Sequence, residues 1–356
     1  MFRSTILLSF VAVALGLSAG DLKVSVKAIS SSVDSVDDIV ISAIITNPTK
    51  EDIRVISKNN ILDPTTTKSF AVSKQGDELL FSGVRATYDF NAAGVYTTIP
   101  AGGSVAVNHT GLGALYDFEA AGTGTFSFSA STQFQTGPDA PIVEANTAPI
   151  DITIKKDVKK RSFIPLERRL STPVCGDAGR KQVITDSLTY ARSLAGGAAT
   201  DIRTHPNSAE FNTYFGGNSR DDIWYRHDII AGDLSSSGTR IISCSDPAGI
   251  CGGSGGVIAY TLVVTSGGNI VGSDIYTCNI FFTNVGTTPS ICSGGFDSTT
   301  SSRGGVILHE LSHATAGTSD YGYGCSVTAG LSVANKRNNA DNYRCMGLAI
   351  YKHYNC

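Results

Sequence analysis

Several residue classes are scarce in this chain of 356 residues, and each scarcity excludes a class of function. Charged residues make up only 17% of the sequence and the net charge is −3, so the chain lacks both the basic surface of a nucleic-acid-binding protein and an acidic tail. No cysteine precedes Cys175, and no C-x-x-C pair follows it, which argues against a cysteine-bound metal. No nucleic-acid partner is therefore expected.

Long apolar runs are also missing beyond the N-terminus, which begins MFRSTILLSFVAVALGLSAGDLK. A basic residue, an apolar stretch and then small residues are typical of a secretory signal peptide, predicted here at residues 1–19 with cleavage near Ala19. A membrane anchor is the alternative, but a spanning helix needs about 20 apolar residues. A secreted, extracellular protein with no membrane partner is expected.

The cysteines form an even set that is confined to the C-terminal half of an exported chain. Such a set predicts a disulfide framework. Spacing alone does not assign the partners. The eight residues are Cys175, Cys244, Cys251, Cys278, Cys292, Cys325, Cys345 and Cys356.

The segment from residue 20 to about 155 is rich in short alternating runs such as LKVSVKAI, DIVISAIIT and GTFSFSAS. Turn residues separate these runs at fairly regular spacing, which predicts a β-sandwich-like domain. The N-x-S/T sequon at Asn108 is the expected site of any N-linked glycan.

A basic connector at about 155–169 joins this segment to the cysteine-rich part, and it contains Lys160-Arg161 and Arg168-Arg169. A solvated charge run is the simpler interpretation. Because the connector separates two different kinds of domain in an exported chain, we predict a propeptide at 20–169 that a dibasic processing protease removes. Cleavage after Arg161 and cleavage after Arg169 both stay open, and the latter leaves a mature domain at 170–356.

The C-terminal part predicts an α+β domain, mostly helical with a small β-sheet. Ile184, Leu188, Ala191 and Leu194 share one helical face, and a second helical pattern runs through DDIWYRHDIIAGDL. Strand patterns follow in GTRIISC, GVIAYTLVV and SDIYTCNIFF. The segment SSRGGVILHELSHATAG predicts another helix, which ends at Gly317.

On that last helix His309 and His313 are four positions apart, so both side chains project from one face and can bind one Zn²⁺. Glu310 lies between them and is the candidate general base for attack of a water on a peptide carbonyl. A helix with two inert histidines is the alternative. The pattern predicts a zincin-like metalloprotease.

Two histidines alone do not complete a zinc site, so a third ligand must come from elsewhere in the chain. In one class of zinc protease it is a histidine six residues after the second one, but that position is Ser319 here. In another class it is a downstream glutamate, and no glutamate follows Leu311. Asp320 comes just after the Gly317 break, where the chain can turn back toward the metal. Two histidines and one carboxylate leave an open position, as in catalytic zinc sites. The downstream donors that remain are Asp320, Asp341 and, more remotely, His353.

HELSH followed by GTSDYGYG resembles the deuterolysin (aspzincin) family of fungal extracellular neutral zinc endopeptidases, which carry HExxH and then GTxDxxYG. The resemblance continues through NNADNYRCMGLAIYKHYNC and covers about Cys175 to Cys356. It implies that His309, His313 and Asp320 hold the zinc. The layout of signal peptide, propeptide and mature domain is similar as well.

The resemblance also implies roles for three further residues. Glu310 would activate the water, and Tyr323 would donate a hydrogen bond to the oxyanion of the tetrahedral intermediate. Asp341 would lie in the substrate pocket, facing a basic P1′ side chain. A metal contact and a helix N-cap are the alternatives for Asp341.

Two departures from the family pattern limit these expectations. Lysine-specific members carry a glutamate where this chain has Arg344, and a positive charge there would repel a substrate lysine. Family members tend to have a tyrosine pair where this chain has Phe281 and Phe282. Tyr323 would then be the sole oxyanion donor.

The resemblance suggests the pairings Cys175–Cys244, Cys251–Cys278 and Cys292–Cys356. We infer that the remaining two cysteines, Cys325 and Cys345, form a bridge between the loop that carries Asp320, called the zinc loop, and the helix of Asp341. Packing or surface roles are expected for His205, His227 and His353, and a core position for Trp224. Because the propeptide has no cysteine, latency cannot depend on a thiolate that caps the zinc.

The sequence as a whole predicts a monomeric, secreted zinc metalloendopeptidase, made as a zymogen, that acts on proteins with a preference for basic substrates. A catalytically impaired zinc-binding protein that acts as a binding module is the alternative, given Phe281 and Phe282. A third hypothesis makes the N-terminal domain the functional module, retained rather than removed.

Overall fold

The computed structural model describes residues 17–159, 169–233 and 239–356. The greater part of the predicted signal peptide, and the predicted processing sites up to Arg168, lie outside these ranges. Two large hydrophobic cores divide the described residues into an N-terminal and a C-terminal domain, and a third, smaller cluster contains residues of both. None of the helices in these ranges is both long and apolar enough to cross a membrane.

The N-terminal domain consists mainly of short strands. They are β1 (Lys23–Ala28), β2 (Ser32–Ser35), β3 (Ile41–Thr46), β4 (Ile53–Ile56), β5 (Phe70–Lys74), β6 (Asp77–Glu78), β7 (Gly83–Tyr88), β8 (Tyr96–Ile99), β9 (Ser104–His109), β10 (Gly124–Ala130), β11 (Gln133–Phe134), β12 (Val143–Glu144) and β13 (Ile150–Asp157). The helical pieces are α1 (Phe118–Ala121) and 3₁₀ turns at Val36–Asp38, Ala93–Val95 and Leu112–Ala114.

Two sheets of this domain share one core. One has the order β1-β3-β9 and the other the order β2-β13-β10-β5-β6. Alternate residues of their strands point inward, as Phe126 and Phe128 of β10 do, and these rings pack edge to face with Phe118 and Phe70. The alternation that predicts a β-rich domain therefore corresponds to the buried face of each strand.

The C-terminal domain is mixed. Its strands are β14 (Arg169–Val174), β15 (Thr239–Ser243), β16 (Val257–Ser266) and β17 (Asn269–Thr277). Its helices are α2 (Ala178–Thr204), α3 (Ala209–Phe215), α4 (Arg220–Ala231), α5 (Asn279–Thr283), a 3₁₀ turn at Thr288–Cys292, α6 (Arg303–Ala316), α7 (Cys325–Thr328), α8 (Val333–Asn338) and α9 (Ala340–Asn355).

The predicted helical patterns correspond to α2, α4 and α6. Asp177 caps α2, whose face of Ile184, Leu188, Ala191 and Leu194 is buried against the rest of the core. The expected strand in SDIYTCNIFF is wrong at its end, because β17 stops at Thr277. The following residues form α5, a short helix that turns Phe281 into the core.

The strands of the C-terminal domain, together with β7, form a five-stranded sheet with the order β14-β15-β17-β16-β7. The first three strands in this order are parallel. Strand β16 is antiparallel to β17 and is joined to it by a tight turn at Gly267 and Gly268, both with positive φ. The outer edge of β16 pairs with β7, a strand of the N-terminal domain. The two domains thus share one sheet.

Four disulfides brace the C-terminal domain. The first three match the pairs that the family resemblance implies, and the fourth is the bridge inferred beside the zinc loop. They are Cys175–Cys244, Cys251–Cys278, Cys292–Cys356 and Cys325–Cys345.

Candidate metal centre

Helix α6 places three of the predicted site residues in the core. Its N-terminus packs closely enough that a Cβ at Gly304 would lie 2.6 Å from Cβ of Tyr190. His309, Glu310 and His313 are all fully buried on this helix. A buried helical face with two imidazoles and a carboxylate needs compensating partners, since unpaired polar groups are costly in the interior.

Asp320 joins the two histidines. Its Oδ1 lies 3.1 Å from Nε2 of His309 and 3.4 Å from Nε2 of His313, and these two nitrogens are 3.0 Å apart. Ligand atoms at 2.0–2.1 Å from one tetrahedral Zn²⁺ are separated by about 3.3 Å. The three atoms therefore have the spacing of three zinc ligands.

The hydrogen bonds around the histidines support this assignment. Nδ1 of His309 lies 2.9 Å from a carboxylate oxygen of Asp341, and Nδ1 of His313 lies 2.9 Å from the carbonyl oxygen of Thr318. Both acceptors hold the proton on Nδ1, so two Nε2 lone pairs face one point. Oδ1 of Asp320 is buried and receives no hydrogen bond from any of the residues that the structure describes. Three acceptors around one point fit a cation.

The loop after α6 brings Asp320 back toward the helix. Gly317 ends α6 with a left-handed φ of 66°, as the sequence predicts. Asn339 then fixes the loop, because its Oδ1 accepts the backbone N–H of Tyr321 at 2.8 Å and of Gly322 at 3.3 Å. Sequence reasoning missed Asn339, although it stands in the NNADNY segment that carries the resemblance.

Asp341 lies behind His309 and is fully buried. Its Oδ1 accepts from Nε of Arg344 at 2.8 Å, and its Oδ2 accepts the backbone N–H of Gly324 at 3.1 Å. Burial alone would raise the pKa of Asp341, but the charge of Arg344 and the bond to His309 hold it below its ordinary value. This placement differs from the expected substrate pocket, and Arg344 is likewise buried rather than exposed to a substrate.

Glu310 is held by two threonines. Oε2 accepts from Oγ1 of Thr261 on β16 at 2.7 Å, and Oε1 accepts from Oγ1 of Thr87 on β7 at 2.7 Å. Burial raises the pKa of Glu310, although the charges of the neighbouring histidines and the two hydroxyl bonds oppose this. A carboxylate with a raised pKa is suited to accept and return a proton.

Tyr323 lies beside Asp320 and is 4% exposed. Burial, followed by the charge of Asp320, keeps its pKa well above 10, so the phenol retains its proton. The hydroxyl also receives a hydrogen bond from Nδ2 of Asn59 in the N-terminal domain. Neither Asn59 nor Thr87 is distinguished by any sequence motif.

Phe281 and Phe282, in α5, lie beside the N-terminal end of α6. Their carbonyl oxygens accept hydrogen bonds from Arg303, the first residue of that helix. The rise of about 1.5 Å per residue puts His309 about 9 Å further along the axis. The pair that departs from the family pattern therefore contacts the start of the helix.

The remaining predicted residues have ordinary surroundings. Asn108 is exposed on β9, where a glycan has room. His205 and His353 are on the surface, whereas His227 is buried in the core. Trp224 is partly buried and stacks under the guanidinium of Arg203, 3.5 Å from the ring centre.

The family model described as "Deuterolysin metalloprotease (M35) family" matches residues 2–354 of the chain. A neutral protease 2 homolog of Aspergillus fumigatus is 28% identical over 96% of this chain and 75% of its own. Penicillolysin of Penicillium citrinum is 26% identical over 98% of both chains. A zinc peptidase from Grifola frondosa aligns with 48% of this chain and 96% of its own, at 17% identity and a TM-score of 0.33.

Proposed function

The chain belongs to the deuterolysin metalloprotease (M35) family and is a zinc metalloendopeptidase, and from that premise we propose how its own residues perform the reaction. One Zn²⁺ is held by His309, His313 and Asp320. The observation that carries this proposal is the triangle of ligand atoms with sides of 3.0, 3.1 and 3.4 Å. When bound there, Zn²⁺ supplies Lewis-acid chemistry, lowering the pKa of a water and polarising a carbonyl.

Glu310 is the general base. It takes a proton from the water that attacks the scissile carbonyl and delivers it to the amine nitrogen as the C–N bond breaks. Its position next to His309 and its orientation by Thr261 support this role. One water is consumed, and one carboxylate and one amine are formed.

Tyr323 stabilises the oxyanion. Its phenol stays protonated and lies next to Asp320, so it can donate toward the oxygen on which charge develops. Asp341 positions His309 rather than a substrate, because its carboxylate is fully engaged by His309, Arg344 and the chain at Gly324. A preference for basic substrates is therefore not part of the proposal.

The protein is proposed to be secreted as a preproprotein and to act as a monomer after removal of the N-terminal domain. The apolar N-terminal segment and the four disulfides support secretion, and the basic connector supports processing.

The test is casein hydrolysis by the secreted, processed protein, freed of its N-terminal domain, before and after a chelator and after Zn²⁺ is restored. Glu310→Ala should lose about 10²–10⁴-fold in rate while still binding one zinc. Tyr323→Phe should lose about 10²–10³-fold in kcat with little change in KM. If the folded C-terminal domain, freed of the N-terminal domain, binds one zinc but does not cleave, the binding-module hypothesis replaces this one.

A further inference from the structure

Strand β7 of the N-terminal domain forms one edge of the five-stranded sheet β14-β15-β17-β16-β7, called the catalytic sheet here because Thr261 of β16 contacts Glu310. It has six residues and pairs antiparallel with β16, so that Val84 faces Leu262 and Ala86 faces Tyr260. The other edge of β16 is occupied by β17. Without β7, the edge of β16 that faces away from β17 would present unpaired backbone N–H and C=O groups. Such an edge can bind an extended peptide as an added strand.

The same strand reaches the general base. Thr87 donates its hydroxyl to Oε1 of Glu310 at 2.7 Å, while Thr261 occupies Oε2. Both carboxylate oxygens therefore already accept a hydrogen bond. An attacking water must therefore compete with the Thr87 hydroxyl for Oε1 of Glu310.

A second segment of the N-terminal domain contacts Asp320 and Tyr323. Asn59 adopts a left-handed φ of 56°, which asparagine tolerates better than most residues. This conformation directs its Nδ2 to Oδ2 of Asp320 at 3.1 Å and to the hydroxyl of Tyr323. The backbone strain is placed where the amide meets a metal ligand and the proposed oxyanion donor.

Further contacts hold these two segments in place. The buried guanidinium of Arg85 donates to the carbonyl of Thr318, and the carbonyl of Tyr88 accepts from Thr299 at 2.6 Å. The ring of Phe90 packs on that of Tyr323 with centres 4.8 Å apart. The apolar cluster at this boundary contains residues of both domains.

We propose that the N-terminal domain is a strand-donating inhibitor, in which β7 occupies the peptide-binding edge of β16 while Thr87 and Asn59 block Glu310, Asp320 and Tyr323. This inference rests on the proposed function. The connector enters the catalytic sheet at β14, the edge opposite β7. Cleavage at the predicted dibasic sites therefore removes no contact of β7, and the cut protein stays inactive until the N-terminal domain dissociates or is degraded.

The experiment uses the full chain with a site for a specific protease placed within residues 160–168. Cleavage of a quenched fluorescent peptide is measured for the uncut chain, for the cut chain and for the C-terminal domain after chromatographic removal of the N-terminal fragment. Size-exclusion chromatography of the cut chain gives a readout that does not depend on activity. Because all substitutions lie in the removed domain, every variant yields the same freed enzyme.

We expect the uncut and cut wild-type chains to be at least about 100-fold less active than the freed domain, and the two fragments to co-elute after cleavage. Thr87→Val keeps the shape of the side chain and Asn59→Gly keeps the left-handed φ, so the double variant should stay folded. It should raise the activity of the uncut chain by about tenfold or more. Thr125→Val, which removes a hydroxyl from the exposed face of β10, should change nothing.

An uncut wild-type chain as active as the freed domain would overturn the proposal. So would fragments that separate on cleavage, or a double variant as inactive as the wild type. A freed domain without activity would instead refute the proposed function, so the two failures are distinguishable.

Discussion

Asp341 and His309 are 32 positions apart in the chain, yet a carboxylate oxygen of Asp341 lies 2.9 Å from Nδ1 of His309. The same carboxylate is paired with Arg344 one turn along α9. A metal-binding histidine is oriented by the acceptor on its other ring nitrogen. Asp341 is thus connected to the metal centre through His309, and Arg344 supplies the charge that keeps this carboxylate ionised in the interior.

Asp341→Asn should weaken zinc binding by about 10–100-fold, since the acceptor of His309 loses its charge. It should also destabilise the domain by about 3–5 kcal/mol, because Arg344 becomes an unpaired buried cation. Zinc affinity is measured by competition with a chelator and stability by denaturant unfolding.

The double variant Asp341→Asn/Arg344→Met separates the two effects. It should recover much of the stability while zinc binding stays weak. Unchanged zinc affinity in Asp341→Asn would show that the carboxylate does not orient His309.

Asn339→Ala should loosen the loop that carries Asp320 and Tyr323. The substitution leaves the N–H groups of Tyr321 and Gly322 without an acceptor, at a cost of about 2 kcal/mol in stability. Because the loop carries both the proposed metal ligand Asp320 and the proposed oxyanion donor Tyr323, kcat and zinc affinity should fall together. The matched control is Asn338→Ala, whose side-chain amide donates to the carbonyl of Ala334 in its own helix and accepts from its neighbour Arg337 at 3.5 Å, and does not contact the loop. Equal effects of the two substitutions would rule out a specific role for Asn339.

The local part of the metal centre is predictable from the sequence. The spacing of His309 and His313 and the glycine at 317 depend on helix geometry alone, and the structure agrees with both. The position of Asp320 follows from that helix end. Chain-local rules are sufficient here because all these residues lie within one helix and one loop.

What could not be predicted depends on contacts between distant segments. The sequence places Asp341 in a substrate pocket, because nothing in it shows that α9 packs against α6. Only that packing brings Asp341 to His309, whose Nδ1 it accepts from. The alternation in β7 predicts a strand but not the sheet that it joins, since strand patterns do not encode their partners. The apolar residues at the end of SDIYTCNIFF fit a strand as well as a short helix, so their pattern does not distinguish a longer β17 from α5.

The Cys325–Cys345 bridge should affect the metal centre as well as stability. The bridge closes a loop of 20 residues between the zinc loop and α9, for which chain entropy predicts about 3 kcal/mol. Removal by a double Cys→Ala substitution should lower both the unfolding free energy and the zinc affinity.

The Cys292–Cys356 bridge provides the matched control. It spans 64 residues and ties down the exposed C-terminus, so its removal should cost about 4 kcal/mol but leave zinc affinity unchanged. If both removals weaken zinc binding equally, the effect is global loosening rather than support of the zinc loop.

His227 should make the protein less stable in mild acid. The ring is fully buried between Phe215 and Tyr343, and neither of its nitrogens has a hydrogen-bond partner within the described residues. Burial lowers the pKa of His227 from 6.5 to about 3. Between these values the unfolded chain binds a proton that the folded chain does not, so stability falls as the pH drops below about 6.5.

The size of the effect follows from the same linkage. At pH 5 the missing proton costs about 2 kcal/mol relative to pH 8, and the cost grows by about 1.4 kcal/mol for each further pH unit down to about pH 3.

His227→Leu, of similar volume and without a titrating group, should remove this contribution. The measurement is urea unfolding of the freed C-terminal domain of both proteins at pH 8, 6 and 5. The difference in unfolding free energy between variant and wild type should shift in favour of the variant by about 2 kcal/mol from pH 8 to pH 5. A difference that stays constant over this range would mean that the folded protein accommodates a charged His227, and the ring would then have a polar partner that its apolar surroundings do not provide.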